Sequence, residues 1–154
     1  GGPGVAFSAR AGHHSTAQDY ARFMQMLVNG GELEGARLLS PTTVALMTSN
    51  HVGTLYRDGS LGWGLGFEVV EQVGRAPRYG AAGEFSWSGA YHTTYWADPA
   101  EKLVVVFMSQ LLPAGTTNLT TRVRTLVNQA IVGPPGGVPG PAGTAARAPA
   151  RRDR

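Results

Sequence analysis

Cysteine is absent from the 154-residue sequence, which excludes a disulfide framework, a thiolate nucleophile and a zinc ribbon. Its absence fits an exported or a cytoplasmic protein equally, so the compartment stays open. Long apolar runs are absent too. The longest, Leu103 to Met108, falls far short of the roughly 20 residues a membrane span needs. No charged-then-apolar leader opens the chain, which begins Gly1-Gly2-Pro3-Gly4. Lysine is nearly absent, with Lys102 the only one. The net charge of +3 is confined to one end: Arg147, Arg151, Arg152 and Arg154 face a single Asp153. The rest carries nine basic and nine acidic side chains. A nucleic-acid-binding domain shows its basic face on the fold, so no specific nucleic-acid partner is expected.

Composition divides the chain into three parts. Residues 1–12 read as an irregular N-terminal segment. Residues 133–154 are Gly, Pro, Ala and Arg, hold five of the ten prolines, and have too little to bury to offset their ordering entropy. They are expected to be disordered. The folded part is then 13–132.

Within it the apolar spacing is legible. Ser15-Thr16-Ala17-Gln18 has the capping-box pattern, and Tyr20, Phe23, Met24, Leu27 and Val28 follow at helical spacing up to Asn29-Gly30-Gly31. Ser40-Pro41 starts a second, short helix with Val44 and Met47 inward. From Leu61 to Val69 bulky residues alternate with Gly62, Gly64 and Gly66, which predicts a strand whose bare face something approaches closely. Ala90 to Ala97 and Leu103 to Gln110 are two further strands, the second apolar enough to be covered on both faces. The short Asp98-to-Lys102 connection makes them an antiparallel pair. A last helix places Leu119, Val123, Leu126, Val127, Ala130 and Ile131 on one stripe, with Arg122 and Arg124 outside. The fold class is α+β: an antiparallel sheet of about three strands with helices packed on it. The expected core is Trp63, Leu65, Phe67, Val105, Phe107, Leu126 and Val127. So small a sheet for two long helices suggests that part of it is missing.

The chemistry is sparse. Among His13, His14, His51 and His92 no pair has the i, i+4 spacing of a helical metal site; no metal and no cofactor is expected. No Gly-x-Ser-x-Gly elbow occurs. Ser86 or Ser88 with His92 and Asp98 would make a triad only if strand geometry brought them into contact, and it should hold them apart. Gly62-x-Gly64-x-Gly66 lacks the following helix and the Gly-Lys-Ser/Thr ending of a phosphate loop.

A set of blocks carries more. Gly83-Glu84-Phe85-Ser86-Trp87-Ser88-Gly89-Ala90, Thr93-Thr94-Tyr95-Trp96-Ala97-Asp98-Pro99 and Leu103 to Gln110 resemble the C-terminal part of the beta-lactamase-related serine hydrolases. These include class C beta-lactamases, penicillin-binding-protein-like peptidases and family VIII carboxylesterases. Ser15 to Phe23, Leu38-Leu39-Ser40-Pro41 and Gly62 to Phe67 match in the same order. The resemblance implies a partial beta-lactamase/transpeptidase-like fold. It also implies acylation of a Ser in Ser-x-x-Lys, a Tyr in Tyr-x-Asn that assists proton transfer, and a third motif on a strand. Trp87-Ser88-Gly89 occupies that third position, as substrate-binding residues, and the backbone N–H of Ala90 becomes an oxyanion-hole donor. Lys102 has no Ser three residues before it, and none of the five tyrosines has an Asn two residues on, so two motifs and the nucleophile are missing. Ser88 replaces the Gly of the esterase branch, and His92 stands where Gly is usual. The implied partners are a small ester, lactam or peptide substrate and the missing N-terminal part of the same fold. The other reading is a non-catalytic module that binds peptide or ester-like ligands on the same sheet.

Deleting residues 133–154 is expected to change stability by no more than about 0.5 kcal/mol while abolishing salt-sensitive retention on heparin. Urea melts and a heparin column at low and high salt check both halves; equal retention of the shortened chain would refute the charge map.

Overall fold

The structure, a computed structural model, describes residues 14–113 and 115–131. The segments expected to be irregular, 1–12 and 133–154, lie outside the described residues, as does His13. The first helix, α1 (Ala17–Val28), starts one residue later than the capping pattern suggests. Its cap is Thr16, whose Oγ1 accepts from Asp19 N at 3.1 Å and donates to Asp19 Oδ2 at 2.8 Å. The acid in the first turn also faces the positive end of the helix dipole. A two-residue hairpin, β1 (Glu32–Leu33) with β2 (Ala36–Arg37), leads to α2 (Pro41–Met47). Ser40 caps α2 by accepting from Thr43 N at 3.0 Å, with Pro41 at the first helical position.

The main sheet has five strands, where the sequence suggested about three. They run in chain order, all antiparallel: β3 (Leu61–Trp63), β4 (Glu68–Val70), β5 (Phe85–Ser88), β6 (Thr94–Asp98) and β7 (Leu103–Phe107). The single strand expected over Leu61–Val69 is a hairpin. Its alternation is real, but Gly66 takes φ 94° and Gly64 N donates to Phe67 O at 2.8 Å, so the chain reverses. Leu65, expected in the core, sits on the turn and is 51% exposed. The bare glycine face is approached closely, as the spacing required. A Cβ on Gly62 would strike the Asn50 side chain, and one on Gly64 would strike the Met47 carbonyl at the end of α2. The strand read as Ala90–Ala97 is likewise the end of one hairpin: β5 precedes it, and residues 89–93 form the connection. The β6–β7 pair is antiparallel, with Tyr95 opposite Val106. β7 is an edge strand, and all five of its residues are half-buried.

Each face of the sheet has its own chemistry. Val69, Phe85 and Ala97 are register partners on one face, and with Phe67 they pack against Met24, Met26 and Leu27 of α1 and Val44 of α2. The opposite face carries Glu68, Ser86, Thr94 and Trp96, and the last helix, α3 (Leu119–Ala130), lies over it. That helix does not bury the expected stripe. Leu126 is 66% exposed, whereas Arg124, expected outside, is 5% exposed. The physical reason is the sheet beneath it, which presents a buried carboxylate, Glu84, that a guanidinium satisfies and a leucine cannot. Of the expected core only Phe67 is fully buried; Trp63, Val105, Phe107 and Val127 are half-buried.

Phe85→Ala, which empties the centre of the α1 face, is expected to cost about 3–5 kcal/mol. Leu126→Ala is expected to stay within about 0.5 kcal/mol. Chemical denaturation of both variants checks the pair; a large loss at Leu126 would restore the apolar stripe as the packing face.

Candidate active site

The connection after β5 is held tightly. Gly89 N donates to Thr93 O at 2.8 Å, His92 N donates to Gly89 O at 3.1 Å, and Thr94 Oγ1 donates to Trp87 O at 3.3 Å. A Cβ on Gly89 would meet Thr93 Oγ1, so a larger residue here would have to turn that hydroxyl away. Trp87, Ser88, Gly89 and Ala90 are all exposed, and the Ala90 N–H donates to no group among the described residues. The four residues singled out in the sequence therefore form one continuous, accessible edge.

A cavity of about 590 Å³ opens beside this edge, between the α3 side of the sheet and the N-terminal half of α3. Its lining includes the rings of Tyr56, Tyr79 and Trp87. Trp63, outside the lining, meets Trp87 edge to face at 4.4 Å and Tyr56 at 5.7 Å. The cavity floor is a chain of charges. Tyr56 Oη donates to Glu68 Oε2 at 2.6 Å; Arg78 pairs with Glu68 and lies 3.5 Å from Glu84; Arg124 Nη1 donates to both Glu84 oxygens at 2.8 and 2.7 Å. Arg124 also donates to Tyr79 O at 3.0 Å and stacks over the Trp96 ring at 4.3 Å. Burial pushes the Glu84 carboxyl up and the Arg124 guanidinium down, each against the pull of its partner. Burial, followed by the adjoining Glu68 carboxylate, raises the Tyr56 phenol. Tyr56 is thus a hydrogen-bond donor at neutral pH and cannot serve as a base.

His92 closes the far wall. It is buried and non-glycine at φ 66°. Gly115 N donates to its Nδ1 at 3.5 Å, which leaves the proton on Nε2, 3.1 Å from Thr120 Oγ1 in the first turn of α3. The ring joins the β5–β6 turn to α3. It does not reach Asp98, whose Oδ1 accepts from Ala100 N and Glu101 N at 3.0 and 3.2 Å and whose Oδ2 accepts from Ala81 N at 3.3 Å. The serine–histidine–aspartate combination is not assembled, and no serine hydroxyl among the described residues contacts an imidazole ring or an amine. Nor do three His, Asp or Glu side chains converge as metal ligands among those residues.

The sequence singles out Trp87 to Ala90 but not the residues around them. Tyr56 and Arg57 stood in a polar loop with no periodicity, and Glu68 fell inside the alternation of a supposed strand. Arg124 lies off the apolar stripe of its helix, which assigns it outward. No local signal marks these residues, since only the folded sheet brings Glu68 and Glu84 beneath α3.

The sequence model of one family, Beta-lactamase, matches residues 2–129. The chain belongs to the beta-lactamase family. Among curated proteins it is similar to Protein Rv1367c and to Uncharacterized protein MT1414, from two strains of Mycobacterium tuberculosis. Each is 36% identical over 118 residues, covering 69% of this chain and 29% of the relative. Among solved structures it is similar to EstCE1, described as a hydrolase with promiscuous acyltransferase activity. There the identity is 25%, the TM-score is 0.62, and the match covers 72% of this chain and 29% of that one. A putative 6-aminohexanoate-dimer hydrolase from Bacillus anthracis shares the fold at 22% identity and a TM-score of 0.52, over 75% of this chain and 30% of that one. The chain therefore spans less than a third of the length of these relatives.

If His92 joins the turn to α3, His92→Ala should lower stability by about 1–3 kcal/mol, the cost of lost and orphaned polar contacts. His92→Gly should recover part of that loss, because glycine relieves a left-handed residue of roughly 1–2 kcal/mol. Urea melts of the two variants give the order; equal losses would mean that the backbone is unstrained.

Proposed function

We propose that this chain is the C-terminal portion of a serine hydrolase of the beta-lactamase/esterase type, acting on an ester or amide through an acyl-enzyme. The observation that carries the reading is the exposed edge Trp87-Ser88-Gly89 with an unengaged N–H at Ala90, beside a cavity. In the proposed cycle a serine of the absent part attacks the substrate carbonyl. A base of the absent part takes the serine hydroxyl proton as the Ser Oγ–C bond forms and the carbonyl oxygen becomes an oxyanion, which accepts from Ala90 N–H. The intermediate then collapses, the bond to the leaving alcohol or amine breaks, and the base passes its proton to that group. Water releases the acid by the same steps and restores the serine. A backbone donor of this kind is worth about 3 kcal/mol in acyl transfer. Tryptophan in the third motif favours an ester over a lactam, and the likeness to EstCE1 supports that choice.

Alone, the chain is expected to hydrolyse neither a chromogenic cephalosporin nor a short-chain nitrophenyl ester above background. Parts of a catalytic unit act non-additively, and little rate survives without the nucleophile. Labelling with a fluorophosphonate or penicillin probe, followed by peptide mapping, is the test. The expected result is no adduct on this chain and a stoichiometric adduct on the serine of Ser-x-x-Lys in the longer protein. An adduct on Ser86 or Ser88 of the isolated chain, with turnover, would replace this reading with a self-sufficient hydrolase. No adduct on the longer protein would favour the non-catalytic binding module.

A further inference from the structure

The β4–β5 ladder ends early. Its last register pair is Glu68 with Ser86, whereas β5 runs on to Ser88, so Trp87 and Ser88 have a strand neighbour only on the β6 side. These two residues lead into Gly89 and Ala90, whose N–H is the unengaged donor. A strand end bonded on one side opens more readily than one bonded on both. What flanks Trp87 in place of β4 is a side chain. The Trp63 ring meets the Trp87 ring at 4.4 Å with the planes 90° apart, the edge-to-face geometry that aromatic quadrupoles favour.

Trp63 is itself clamped. Its N–H donates to Asn50 Oδ1 at 3.4 Å and its carbonyl accepts from His51 N at 2.9 Å. On either side of it, Gly62 and Gly64 bring the strand against residues 47–50. A Cβ on Gly62 would strike the Asn50 side chain, and one on Gly64 the Met47 carbonyl. The two glycines thus let the end of α2 and the loop after it pin the backbone from which the Trp63 ring projects. The Tyr56 ring, whose Oη is tied to Glu68 at 2.6 Å, meets Trp63 at 5.7 Å, and Glu68 is the register partner of Trp63. Trp87, Ser88 and Gly89 line the cavity and Trp63 does not, so an influence of Trp63 on a ligand there passes through Trp87.

We propose that Trp63 is the positioning residue of the Trp87–Ala90 edge. Its pinned indole takes the place of the absent β4 neighbour and fixes the direction in which the Ala90 N–H points. That this edge serves acyl transfer rests on the hydrolase reading. The positioning does not, because it follows from packing within the described residues.

The test uses the full 154-residue chain. Two indoles held rigidly in contact couple their ultraviolet transitions, so the unaltered chain should show a circular-dichroism couplet that Trp87→Phe abolishes. Amide exchange at Gly89 and His92, whose N–H groups bond Thr93 O and Gly89 O, reports how firmly the turn is held. Trp63→Ala is expected to speed both at least about tenfold, and Trp63→Phe, which keeps a ring in place, to stay within about twofold of the unaltered chain. The Ala90 amide chemical shift should move in Trp63→Ala and return in Trp63→Phe. Where Trp63→Ala does not fold, Trp63→Leu, apolar but without a ring, takes its place. Val44→Ala, in the core on the α1 side, should lower the melting temperature yet keep the couplet and hold both exchange rates within about twofold. Loss of stability alone therefore does not imitate the effect. No couplet in the unaltered chain, exchange unchanged in Trp63→Ala, or equal acceleration in Trp63→Phe would each overturn the proposal. Covalent labelling decides the hydrolase reading separately, so failure of one is distinguishable from failure of the other.

Discussion

The Arg124–Glu84 pair is the constraint on which the α3 side of the molecule depends. Both groups are almost wholly buried, and the guanidinium donates to both carboxylate oxygens while lying over Trp96. Burial moves each toward its neutral form, so the attraction between them does not return all of the desolvation cost. Removing one partner is a different matter, since a single charge stranded here would cost about 3–5 kcal/mol. The helix is thus fixed at one point by a polar bond of high specificity. Its first turn reaches the β5–β6 turn through His92 and Thr120, and the space left between those two ties is the cavity.

That arrangement explains why some features were legible in the sequence and others were not. Helices α1 and α2 pack by apolar burial alone, so periodicity and caps found them, with Val44 and Met47 inward as the spacing predicts. Strand pairing of β6 with β7 was legible because a five-residue connection permits little else. The β3–β4 hairpin was read as a single strand, since alternation continues through Trp63, Leu65 and Phe67 and only the φ of Gly66 reveals the reversal, and β5, four residues long, was not read as a strand. α3 misled for a chemical reason. A hydrophobic stripe locates the buried face of a helix only when its partner surface is apolar, and here that surface is carboxylate, hydroxyl and indole. The edge at Trp87 to Ala90 was found through resemblance; its walls come from residues 56–57, 68, 78 and 124, which no local pattern joins.

Backbone strain follows the same division. Five described non-glycine residues have positive φ: Glu34, Arg57, Asp58, His92 and Lys102. Glu34 and Lys102 lie in the short reversals of β1–β2 and β6–β7, where a left-handed residue is the ordinary way to turn. Arg57 and His92 line the cavity, and Asp58 is the next residue in the Arg57 turn. The turn Tyr56–Gly59 could have carried glycine throughout, as it does at Gly59, and glycine would adopt the φ of position 92 without strain. A side chain retained at a conformational cost implies that the side chain does something there. For His92 the contacts with Thr120 and Gly115 supply an answer, and for Arg57 the Tyr56 ring, 5.9 Å from its guanidinium, supplies one.

The sheet edge bears on how much of the fold this chain represents. β7 pairs with β6 alone, and its sequence Leu103 to Phe107 holds no charge, proline or bulge. Proteins that leave an edge strand open to water usually interrupt it with such devices, because an unbroken row of amide and carbonyl groups invites pairing with another chain. Here Lys102 stands at the start of the strand and nothing follows it. An edge of this kind suits a sheet that continues, which agrees with a chain spanning less than a third of its relatives. Whatever pairs with β7, the cavity walls, the charge chain and the exposed N–H of Ala90 are all positioned by packing within the described residues, on the α3 side of the sheet and away from the open edge.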